Sequence, residues 1–151
     1  PTYWSLEGMT TYGTIPQAEK FLSVEEDGGE GGPIPGMKVI RFINAAKPEG
    51  VIWIPGSGGT LITVDIIQNS ITASEYANSL GKGISYCAGF LGECRCVPKW
   101  RMVNGVNHLV EAEKIIAWDF ENLISAHGTP KVGGAKALFE ASAKNFFKKE
   151  E

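Results

Sequence analysis

The sequence predicts an α/β domain in which a mostly antiparallel sheet is packed by helices, and three observations predict it. Between residues 37 and 65 three β-branched runs follow one another, parted by turn-forming glycines and prolines. Two later stretches, His108 to Trp118 and Gly134 to Lys149, repeat apolar residues at helical spacing. A length of 151 residues with 43% hydrophobic and 21% charged content suits one domain, spanning 1–151, that buries its own core.

Taken in order, the first twenty or so residues mix aromatic and polar types. Glu25 to Gly36 then gathers acids, five glycines and two prolines into a surface loop. Met37 to Ile43 is the first strand, and Val51 to Ile54, closed by Pro55-Gly56, is the second. Gly58-Gly59 leads into a third, Thr60 to Asp65, and three short strands in succession suggest a meander. From Thr72 onward, Ala73, Tyr76, Ala77 and Leu80 suit a helix that stops near Gly81. In the next helix Leu109, Ala112, Ile115, Ile116 and Phe120 share one face, while Glu111, Glu113 and Lys114 stay wet. It feeds a short strand, Leu123 to Ala126, that His127-Gly128-Thr129-Pro130 turns at once. The final helix aligns Ala135, Leu138, Phe139, Ser142 and Phe146 and closes on lysines, which suit the negative end of its dipole.

Fourteen basic and seventeen acidic residues give a net charge of -3, which argues against a nucleic-acid face or an anionic-membrane anchor. No stretch approaches the roughly 20 apolar residues of a bilayer span, and Pro1 to Trp4 lacks the features of a signal peptide. Three cysteines, an odd number, suit reduced thiols and a cytoplasmic location. Whether an initiator methionine or a longer segment once preceded Pro1 is open.

Two residues stand where chemistry is commonly placed. Asp65 ends one strand and His127 follows another, so a carboxylate and an imidazole held by neighbouring strands could converge on a divalent metal such as zinc. The plainer alternatives are a turn-forming or capping carboxylate and a hydrogen-bonded histidine shaping its turn. Two ligands fall short of the three or four that zinc sites use. Cys94-Arg95-Cys96 lacks the spacing of a zinc knuckle, so these two and Cys87 read as packed free thiols. His108 follows Asn107 at a helix start and reads as a surface or capping residue. Gly56, Gly58 and Gly59 lack the lysine and hydroxyl residue of a phosphate loop and read as a hairpin turn. Trp4, Trp53, Trp100 and Trp118 are more often core than substrate contacts.

The segments Gly58-Gly59-Thr60-Leu61-Ile62-Thr63-Val64-Asp65-Ile66-Ile67-Gln68-Asn69 and Leu123-Ile124-Ser125-Ala126-His127-Gly128-Thr129-Pro130 resemble the last two metal motifs of metallo-β-lactamase-fold hydrolases. The segment from Gly89 through Trp100 is similar to a connection that some members place between them. The resemblance implies half of an αββα sandwich, corresponding to the C-terminal portion of that fold. It implies zinc or iron as cofactor, a metal-bridging role for Asp65 and ligation by His127. It also implies a small-molecule ester, amide, thioester or phosphoester substrate. The family's histidine-rich signature is absent, since the chain holds two histidines. Where the family places another histidine, the chain reads Ile43 to Glu49, with Lys47 or Glu49 as stand-ins. The ligand set is therefore incomplete. Two outcomes follow: an incomplete hydrolase domain that pairs with a missing N-terminal half or a second copy, or a non-catalytic binding or assembly domain that retains the fold.

Overall fold

The computed structural model describes residues 4–6, 20–22, 33–42, 49–72, 78–87, 89–97 and 109–146. Strands β1 (Trp4–Leu6) and β2 (Lys20–Leu22) pair in parallel. The central sheet is built from β3 (Lys38–Phe42), β4 (Glu49–Ile54), β5 (Thr60–Thr63) and β8 (Asn122–Ser125), in the order β3-β4-β5-β8. The first three form the expected antiparallel meander, and β8 joins β5 in parallel. A second antiparallel pair, β6 (Ile67–Ser70) and β7 (Gly92–Cys96), reaches the end of β8 through a bridge between Asn69 and Gly128. Among the described residues the helices are α1 (Ser79–Cys87), α2 (Leu109–Ile116) and α3 (Ala135–Phe146). The whole is a mixed α/β fold with a mostly antiparallel sheet packed by helices.

Strand alternation decides which side chains meet. Side chains two residues apart share a face, so Ile40, Phe42, Val51, Leu61 and Leu123 join one buried cluster while Val39 faces the other way with Met37 and Ile52. The inner row closes on α3 through Ala135, Phe139 and Ala143, spaced four residues apart, and on α2 through Ala112 and Ile115. Phe120 and Phe139 meet at a centroid distance of 6.2 Å and an angle of 51°. That tilted geometry suits the ring quadrupoles, and burying each ring contributes about 1.5–3 kcal/mol.

The structure departs from expectation in the middle of the chain. The helix expected to end near Gly81 instead begins at Ser79 and continues to Cys87. Asn78 starts it, its Oδ1 accepting from the Gly81 N–H at 2.8 Å. This N-cap supplies a partner to an otherwise orphaned donor and outweighs the glycine as a stop signal. Ala73, Tyr76 and Ala77 lie outside the described residues, as do the side chains of Leu109 and Phe146. Strands β6 and β7 were not among the expected elements. In β7 the side chains of Cys94 and Cys96 turn inward while Glu93 and Arg95 turn to solvent, a two-residue period carried by cysteines.

Candidate functional site

The parallel pairing of β5 and β8 sets both chains running the same way, with Thr60 beside Asn122 and Thr63 beside Ser125. Residues that follow the two strands therefore emerge at one end of the sheet. Asp65 and His127 do so, and His127 Nε2 lies 2.9 Å from Asp65 Oδ1. Their side chains are 38% and 61% exposed respectively, so the pair faces solvent at the sheet's edge.

Local hydrogen bonds fix each partner. Thr63 Oγ1 donates to the Ile67 carbonyl at 2.6 Å, closing the turn that carries Asp65. Gln68 Nε2 donates to the Asp65 carbonyl at 3.1 Å, and the Asp65 N–H donates to Glu49 Oε2 at 3.3 Å. Glu49, one of the two stand-ins for the family's histidine, is thus buried and turned to the Asp65 backbone. Lys47, the other, lies outside the described residues. On the second strand, Ser125 Oγ donates to the His127 carbonyl at 2.6 Å.

A carboxylate oxygen and an imidazole nitrogen are both good zinc donors, so the two residues fit part of a metal site. They do not fit a complete one. Among the described residues no group of three or more histidines, cysteines or acids is placed to hold a metal ion. His108 lies outside those residues. A bound ion would need a third donor.

The other candidates form no metal-holding group with this pair among the described residues. Cys87, Cys94 and Cys96 are free thiols. Cys94 and Cys96 are packed as expected, whereas Cys87 is exposed on a helix without a buried residue. Burial pushes the Cys94 thiol up to about 11, with Lys131 opposing and Glu93 adding to the rise. Burial pushes the Cys96 thiol up to about 12 against the hydrogen bond from Ser142 and the charge of Arg95. Such thiols stay protonated and are poor ligands and nucleophiles. Gly56 to Gly59 form the hairpin turn between β4 and β5, with the Gly59 N–H donating to the Gly56 carbonyl at 2.7 Å. Trp118 is a core residue, and the side chains of Trp4 and Trp100 lie outside the described residues. Trp53 lines an open cavity of about 410 Å³ with Gly59, Asp119, Glu121 and Lys136, at the end of the sheet opposite Asp65 and His127. Its indole N–H donates to the Asp119 carbonyl at 2.6 Å, and Lys38 lies 5.0 Å from its ring centre.

Two residues of the site were not singled out from sequence. Asn69 and Ser125 hold the loop that carries His127, and both look like ordinary polar strand residues until the loop is seen. The sequence signal for Asn69 is a side chain with poor strand propensity amid a β-branched run.

Neither family models, nor curated proteins, nor solved structures give a match to this chain. No helix among the described residues is long and apolar enough to cross a membrane.

Proposed function

We propose that the chain is a metallo-β-lactamase-like hydrolase domain, the C-terminal half of an αββα sandwich, whose Asp65 and His127 supply part of a zinc or iron site. The observation that carries this reading is the 2.9 Å approach of His127 to Asp65 at the shared end of two parallel strands. Residues 62 positions apart in sequence are brought together with donor atoms that suit a divalent ion. The remaining ligands would come from a pairing N-terminal half or a second copy, and the substrate would be a small molecule. Three free thiols support a reducing compartment such as the cytoplasm.

The want of a third donor among the described residues favours a second reading, a binding or assembly domain that keeps the fold without catalysis. Elemental analysis for zinc, iron and manganese on protein purified without added metal or chelator separates the two. Near-stoichiometric metal that is lost in both Asp65→Ala and His127→Ala supports the hydrolase reading. Absence of metal from folded wild-type protein supports the binding domain, and metal retained in both variants removes Asp65 and His127 from the site.

A further inference from the structure

The loop bearing His127 is solvent-exposed from Ala126 to Pro130, yet it is held on both sides of the histidine by one buried residue. Asn69 is 1% exposed and every polar group it owns has a partner. Its Nδ2 donates to the Thr129 carbonyl at 2.7 Å, and its own carbonyl accepts from the Thr129 N–H at 3.1 Å. Its N–H donates to Ser125 Oγ at 3.2 Å, and that same hydroxyl donates to the His127 carbonyl. Its Oδ1 accepts from the Cys94 N–H at 3.2 Å, where the β6–β7 ladder shifts register between Gln68 and Ser70. Thr129 on one side of His127 and Ser125 on the other are thereby tied to a single point in the core.

That point is also four residues from Asp65, across a turn braced by the Thr63 and Gln68 hydrogen bonds. The Asp65 turn thus adjoins Asn69 along the chain, and the His127 loop is hydrogen-bonded to it. An exposed polar pair is too weak to order a loop against its conformational entropy, so the pair cannot be what sets its own geometry. A buried amide is costly unless satisfied, and here one bond reaches the loop at Thr129 while the other reaches β7 at Cys94. The geometry points to Asn69 as the positioning residue of the site: with Ser125 as its relay, it holds His127 Nε2 against Asp65. The inference deepens the metal-site reading above, on which its role in ligand binding rests, but the alignment itself can be tested without metal.

The readout is the coupling between the two residues, measured by NMR as the displacement of the His127 imidazole nitrogen resonances caused by Asp65→Asn. The His127 signals are assigned against His108→Gln. The same displacement is then measured in the Asn69→Ser and Ser125→Ala backgrounds, with folding monitored by circular dichroism. Because Asn69→Ser alters a buried residue and can unfold the chain, Ser125→Ala, at the loop, is the deciding variant. We expect the displacement to shrink by more than half in folded Ser125→Ala protein, and zinc affinity to fall about 10- to 100-fold, the usual effect of removing an outer partner of a ligand. An undiminished displacement in folded Ser125→Ala, or none in the wild-type background, overturns the inference. Zinc that fails to bind wild-type protein while the displacement shrinks removes the metal reading and leaves the positioning role standing.

Discussion

Gly128 lies against the main-chain carbonyl of Asn69 so closely that a Cβ on residue 128 would overlap the oxygen, and its φ of +90° is one that other residues rarely adopt. The parallel bridge between the two residues is what docks β6 onto the end of β8. Only a residue without a side chain lets the His127 loop approach that near.

Gly128→Ala should therefore destabilise the domain by about 2–3 kcal/mol, since backbone strain adds to a clash with main-chain atoms that cannot swing aside. Urea denaturation measures it. A change below about 0.5 kcal/mol would mean that the bridge yields without cost.

Asp65→Ala and His127→Ala should behave differently. The pair they form is well exposed, so its contribution to stability is at most about 1 kcal/mol. Both variants are expected to fold with unfolding midpoints close to wild type, leaving any loss of ligand binding free of a folding defect. A loss above about 2 kcal/mol in either would assign that side chain a structural role.

The sheet was legible in sequence because its strands obey the two periodicities that burial imposes. Ile40 and Phe42, or Leu61 and Thr63, alternate inward along strands bounded by glycine and proline, and Ala135 with Phe139 recurs at a helical step. The ends of β5 and β8 were legible too, as places where a rigid strand hands a polar side chain to a loop. That Asp65 and His127 could converge is an expectation of the sequence; the parallel pairing of β8 with β5 that brings them together is not, being a choice of partner that no local pattern encodes. Strand β7 was hidden for another reason. Its inward residues are Cys94 and Cys96, which pack as small apolar groups although their spacing first suggests chemistry. Asn69 was hidden by its own surroundings, since all its partners lie at least 25 positions away in sequence.

The two buried thiols link part of the fold's stability to alkaline pH. Their protons are held more tightly in the folded chain, up to about 11 for Cys94 and about 12 for Cys96, against an ordinary value of 9.0. Where the folded value is raised, the associated stability is complete below the unfolded value and is lost as pH climbs through the folded one. Thermal unfolding midpoints should fall as pH rises from about 9 toward 12, and Cys96→Ala should flatten that decline. An unchanged slope in the variant would remove the thiol as its cause. At neutral pH, iodoacetamide followed by mass spectrometry should mark exposed Cys87 first and leave Cys94 and Cys96 protected until the chain unfolds.

The β4–β5 turn offers an internally controlled test of close approach against backbone strain. Gly56 and Gly59 both have positive φ, at +98° and +81°, so alanine is strained at either position. A Cβ on residue 56 would meet open space. One on residue 59 would run into the Asp119 carbonyl and the Trp53 indole nitrogen, the two groups joined by a hydrogen bond just ahead of β8. Gly56→Ala is expected to cost about 1 kcal/mol, from strain alone, and Gly59→Ala about 2–3 kcal/mol, because the packed neighbours must also move. The same substitution should shift the fluorescence of Trp53, whose indole loses its partner, while Gly56→Ala leaves it in place. Equal costs at the two glycines would show that the turn conformation matters and that the approach to Asp119 does not.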